Sequence, residues 1–302
     1  MGAPHRHNPI SVLGTVVGGM QPPSISWGVQ TTTPVVGGNI APEVAAISRS
    51  EPTISFSTHE LAAVLALCGV APTAGTVITY NRKIDAAGTA TASTAHESYT
   101  MTTALAVLQS LSCSSGGNAS ASYVCHGYHA TSGTPPLKKA TSVALPSYSA
   151  TPVLFGLGKV VVNGTQITGI QSVSVSLGIN VDKPDTDGNI YPTTCKAISY
   201  NPTISFTYRE PDQATAMSGT SPNLISGTAI SSATCLYFRK RTMDGLYVAD
   251  ATAEHIKVTM NAGIISVQSE DGDPRTVSVT ITCRGTNGSS GPLTISAASA
   301  IS

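Results

Sequence analysis

Charge is scarce in this sequence. Only 11% of its 302 residues are Asp, Glu, Lys or Arg, and 16 basic side chains balance 16 acidic ones. A net charge of zero removes the repulsion that keeps soluble monomers apart, which favours a surface largely used in assembly. It also disfavours a basic nucleic-acid binder, because neither half of the chain has a Lys/Arg excess of any size. Long apolar runs are missing too. The longest, Leu61–Ala71, falls well short of the roughly 18 residues a membrane helix needs. The first residues, MGAPHRHNPISVLGTVVGG, do not read as a signal peptide, since glycines break the apolar stretch.

Recognisable catalytic and ligand motifs are equally sparse. GLGK at Gly156–Lys159 lacks the spacing and the Ser/Thr of a phosphate loop, and no GxSxG, HExxH or EF-hand pattern occurs. Cys125-His126-x-x-His129 has zinc-type donors but no second ligand pair near it. Asp182, Asp185 and Asp187 form an acidic cluster, without the bidentate Glu of a calcium loop. The Asn118, Asn163 and Asn287 sequons arise by chance in a Ser/Thr-rich chain. No cofactor, metal or enzymatic activity is expected.

What is present is a repeat. Shifted by 150 positions without a gap, Ser24–Glu60 falls on Ser174–Glu210 with 14 identities in 37 positions. The shared core is GNI-x-P, then PTISF, then Ser/Thr-x-x-Glu. Weaker matches extend it. Val12–Gly19 resembles Gly156–Gly164 once about six residues are gapped, and Thr79–Lys83 sits over Tyr237–Arg241. Ala95–Met101 sits over Glu254–Met260, and Tyr123–Leu137 over Ile281–Leu293. A short tail (1–8) and two domains (9–150 and 151–302) are therefore expected, with a linker at Ala144–Pro152. On this alignment Cys125 matches Cys283, while Cys68, Cys113, Cys195 and Cys235 have no counterpart. A disulfide essential to the domain would occur in both copies, so the thiols read as free and partly buried, as in a cytoplasmic product. The copies also align His96 with His255, read as structural, and break the Cys125–His129 motif, which reads CRGTN in the second copy.

Alternation of period two predicts a mainly β fold, a sandwich or partly closed barrel in each copy. The strands include SISWGV, PTISF, SYTMTT and ASYVCHG in the first copy. In the second they include Ser172–Val181, Pro202–Tyr208, His255–Met260 and Thr276–Cys283. Each copy should hold one short helix. In the first, Ser57 and Glu60 form a capping box ahead of a helix ending at Gly69. In the second, a poorer helix follows Thr207–Glu210 and starts near Pro211. Between the early strands lies a loop of about 22 residues, Gln30–Glu51 and Asn180–Asn201. A loop this long that keeps its sequence in both copies has a shape-specific task. Its candidate residues are Pro34, Gly38, Asn39, Ile40 and Pro42, with Pro184, Asp185, Asp187, Gly188, Asn189, Ile190 and Pro192 in the second copy.

Ile167–Pro192 and Pro202–Ala216, with their strand pair, long loop and following helix, resemble the tail tube (major tail) proteins of long-tailed bacteriophages. The resemblance covers the whole chain twice and is similar to members that look like two fused tube domains. It implies a structural virion protein made in the bacterial host cytoplasm. Three chains would close a pseudo-sixfold ring, and rings would stack into a tube that conducts double-stranded DNA without specific binding. It further implies tail-tip or baseplate and tail-terminator partners, no membrane, and long loops that contact the adjacent ring. A distal-tail hub protein with paired tube domains is the alternative within tails. A secreted β-sandwich adhesin is less favoured, lacking a signal peptide and paired cysteines.

Overall fold

In the computed structural model, the residues described are 5–18, 21–33, 45–83, 96–131, 133–147, 153–184, 188–209, 228–230, 232–271, 276–285 and 291–302. The fold is mainly β, with several antiparallel sheets and, among the described residues, one helix. The predicted second helix lies outside the described residues.

The first half begins with β1 (His5–Val12), which reaches into the stretch read as a tail, and β2 (Thr15–Val17). Next come β3 (Ser24–Ser26), β4 (Val29–Thr32), β5 (Ala46–Ser50), β6 (Thr53–Thr58) and α1 (Leu61–Leu67). It ends with β7 (Thr73–Lys83), β8 (His96–Ser114), β9 (Ser120–Gly127) and β10 (Leu137–Val143). The long strand β8 serves two layers. Its first part pairs with β7 and β10, extending the row β2-β1-β7-β8-β10; its last part pairs with β9, extending the row β3-β6-β9-β8.

The second half contains β11 (Phe155–Val162), β12 (Thr165–Ile167), β13 (Ile170–Ser176), β14 (Ile179–Asp182), β15 (Lys196–Tyr200) and β16 (Thr203–Tyr208). It continues with β17 (Thr228–Ile230), β18 (Thr234–Lys240), β19 (His255–Met260), β20 (Gly263–Asp271), β21 (Thr276–Cys283) and β22 (Leu293–Ser299). Its rows are β12-β11-β18-β19-β22 and β13-β16-β21-β20, the same order as in the first half, with β8 replaced by β19 and β20. Alternating residues such as Ile54, Phe56, Val173, Val175, Ile204 and Phe206 point into a common apolar core. Burying these faces is the main stabilisation of the fold.

Local geometry agrees between the halves. Leu13-Gly14 and Asn163-Gly164 have positive φ at both residues, as a type I′ hairpin turn requires. They are 150 apart, so the six-residue gap in the sequence alignment is not needed. The amide of Lys83 donates to His96 Nδ1 at 3.0 Å, and that of Lys240 to His255 Nδ1 at 3.0 Å. Both imidazoles are fully buried, which agrees with the structural role read for them. The extra residue of a bulge is Gln109 in β8 and Gln268 in β20.

Several details differ from the sequence reading. Cys125 pairs with Ile54 and Ile281 with Ile204, so Ile281 matches Cys125 while Cys283 falls where Gly127 is. A two-residue error keeps every side chain on its face, so alternation cannot detect it. The histidine match likewise equates Tyr80, not Thr79, with Tyr237. Ser57 is not a helix cap. Its hydroxyl meets Ser122 across the sheet, while Thr58 and Glu60 hold the backbone of Gly18. Helix α1 starts after Glu60 with no side-chain cap and stops at Leu67. Ser172–Val181 is two strands, because Gly178 at φ +55° turns the chain under the carbonyl of Asn201. The long loops are partly hairpins, β4–β5 and β14–β15.

Candidate functional site

The site is the joint where the two halves become one sheet. Strand β13 pairs antiparallel with the end of β8, from Ser172 opposite Ser114 to Ser176 opposite Ser110. The amides of Leu177 and Ser115 extend the ladder to the carbonyls of Gln109 and Gln171, at 2.9 and 2.7 Å. The joint thus unites two four-stranded rows into eight strands, β3-β6-β9-β8-β13-β16-β21-β20. Arg241 reaches across to Asn118 Oδ1 and the carbonyl of Gly117, both at 3.1 Å.

Hairpin β14–β15 lies against the first half beside this ladder. The carbonyl of Ile190 accepts from the amide of Ser50 at 2.8 Å, and that of Pro192 from His129 at 3.0 Å. Lys183 Nζ lies 2.6 Å from Glu51 Oε2, and Arg49 Nε 2.7 Å from Glu51 Oε1. Burial raises the Glu51 pKa, but the hydrogen bond from Lys183 and the charges of Lys183 and Arg49 outweigh it and leave the carboxyl below its ordinary value. His126, nearby, is pushed down to about 4, chiefly by burial and then by Lys183, with Glu51 opposing.

Of the predicted loop residues, Ile190 and Pro192 are therefore placed at this joint; Asn189 directly precedes Ile190, and Gly188 has φ +71°. Pro184 is exposed beside Lys183. Pro34, Gly38, Asn39, Ile40, Pro42, Asp185 and Asp187 lie outside the described residues. Sequence reasoning missed Lys183, Glu51 and Arg49 and set His126 aside, because they are not repeated between the halves.

The joint has counterparts at both ends of the row. Strand β3, which occupies the position of β13, pairs only with β6 among the described strands. Strand β20, which occupies the position of the end of β8, pairs with β21 on one side. On its other side β17 covers only Gly263–Ile265, leaving Val267–Asp271 without a strand among the described residues.

One face of the eight-stranded row is mostly hydroxyl, with Val124, His126 and Ile264 among the exceptions. Cross-strand pairs run Ser57–Ser122 (2.9 Å), Ser112–Ser120 (3.1 Å), Ser172–Thr207 (2.7 Å) and Ser205–Thr280 (3.1 Å). A depression of about 480 Å³ at the joint is lined largely by such residues and by no charged side chain. Cross-strand Ser/Thr pairs support a sheet without needing charge.

Among the described residues, no other cluster offers chemistry. Among the described residues, no three His, Cys, Asp or Glu side chains gather as they would around a metal ion. All six cysteines are free, and five are buried. Lys159 and Arg239 both pair with Asp250, and Lys240 with Glu254, which leaves these charges spent on one another. Among the described residues no helix is long and apolar enough to cross a membrane. No protein-family model and no curated protein matches the chain.

Proposed function

We propose that this chain is a structural tail tube protein of a bacteriophage, with copies joined head to tail through β20 and β3. The observation that carries the reading is the β8–β13 joint, which has an open counterpart at each end of the row. A contact that repeats by rotation closes a ring, and closure removes the exposed edges that would otherwise template aggregation. Three chains then present six similar halves around one channel, and stacked rings give a tube. The two halves stand as copies of one tube domain, the first carried by 9–150 and the second by 151–302.

In this reading the hydroxyl face lines the channel. An inert lining suits a DNA conduit, because Lys or Arg there would hold phosphates in a salt-dependent way. The chain has no catalytic part, lies in the virion tail, and meets tail-tip or baseplate and tail-terminator proteins at the tube ends. The tips of the long loops, around Pro184, reach the adjacent ring, while Ile190 and Pro192 serve the lateral joint.

The reading is tested by sedimentation and native mass measurement of the purified protein over a concentration series. Assemblies built of three chains or multiples of three support it. A monomer that persists at the highest concentrations overturns it.

A further inference from the structure

We infer that hairpin β4–β5 of one chain docks on the second half of the next chain, anchored by Trp27, in the way β14–β15 sits on the first half of its own chain. The inference rests on the proposed head-to-tail assembly and names the surfaces that make it.

The internal joint buries Leu177 completely and Ile179 almost so. The residues 150 positions earlier are Trp27 and Val29, which are 45% and 51% exposed. On the receiving side Leu105, which pairs with His126, is buried. Its counterpart is Ile264, which pairs with Thr282 and is 47% exposed. Both partners of the missing joint are thus present in the free chain, each with its apolar side chain uncovered. Large exposed apolar groups close to an open strand edge mark an interaction surface, and a buried Trp is a common anchor of such contacts.

The chain also carries an apolar groove of about 420 Å³, lined by Ile198, Tyr200, Leu293 and Val70 among others. Tyr200 stands where Ser50 stands in the first half, and Ser50 is the residue that donates to the hairpin at the internal joint. The internal pairing also sets the expected ladder. Ser176 opposite Ser110 becomes Ser26 of one chain opposite Ser269 of the next.

The two joints differ in charge. The internal one holds Glu51, Arg49, Lys183 and His126. The corresponding positions are Asn201, Ser199, Thr33 and Thr282, none of them charged. The chain-to-chain joint therefore lacks this ionic cluster, and screening by salt should leave it largely intact.

Trp27 is the sole tryptophan of the chain, so its emission reports the contact directly. Assembly followed by sedimentation should be matched by a blue shift of emission and loss of acrylamide quenching, unchanged in 1 M salt. Trp27→Ala should raise the concentration needed for assembly at least about tenfold. It should leave the monomer folded by circular dichroism, because the side chain is half exposed there. In the Ser26→Cys/Ser269→Cys double variant, oxidation should link chains on a denaturing gel. Assembly with Trp27 still quenched as in the monomer, and without the cross-link, would overturn the inference while sparing the assembly reading. Absence of any assembly would overturn both.

Discussion

Val175 of β13 lies opposite Leu111 of β8, both fully buried, and this pair sits in the middle of the ladder that makes the two halves one sheet. Leu111→Ala should cost about 2–5 kcal/mol, the range for a large aliphatic truncated in a packed core. Urea denaturation checks the loss. If the joint is as central as its burial suggests, the transition should also broaden or split as the halves uncouple.

Acid should weaken the same joint. His126 has a folded pKa of about 4 against an ordinary 6.5. Between those values the unfolded chain binds a proton that the folded chain does not, so stability falls as pH drops through that window. The loss is at most about 3.4 kcal/mol by the value of a pKa unit, and solvent screening of the partly exposed imidazole lowers it further. Glu51 acts lower: its carboxyl is depressed from 4.5, so its contribution is present above that value and is lost as pH falls through the folded pKa. In His126→Thr, which copies Thr282 of the second half, the decline between pH 6.5 and 4 should flatten. Thermal melts across that range measure it.

Gly28 and Gly178 have φ of +56° and +55°, and a Cβ on either would strike the carbonyl of Glu51 or Asn201. Each glycine sets the bend between a sheet strand and its hairpin. Gly178→Ala should therefore destabilise the chain by about 1–3 kcal/mol, since strain and clash combine. Equilibrium unfolding tests this, with Gly188→Ala, where a Cβ meets nothing, as a milder comparison.

Thiol chemistry should be silent in the native protein. Burial pushes Cys68 and Cys113 up to about 11 and Cys283 to about 12, and raises Cys125 further. Only Cys235 is not buried. A thiol reagent should label at most about one cysteine per native chain and all six after denaturation. Reductant should not change the melting temperature.

Much of the fold was legible in the sequence because it rests on alternation. The PTISF strands, the hydroxyl-bearing strand faces and the matching histidines all follow from residue type at period two. What failed depended on tertiary partners. Ser57-x-x-Glu60 has the form of a capping box, but Ser122 lies across the sheet from Ser57 and the Gly18 amide is within reach of Glu60. No local pattern reveals either competitor. The long loop stands out by its repeated GNI-x-P, yet its hairpin stems were hidden by weakly alternating, exposed residues such as Val29–Thr32. The ionic cluster of Lys183, Glu51, Arg49 and His126 joins residues from distant parts of the chain and occurs once, so a comparison of the two halves could not find it.

The central claim is that the free edges β3 and β20 join between chains as β13 and β8 join within one. Electron microscopy of the purified protein or of virions tests this most directly. The account predicts rings of three chains with sixfold appearance around a channel, stacked at roughly 40 Å, the height of a tilted sheet of such strands. Discrete single chains at high concentration would contradict it.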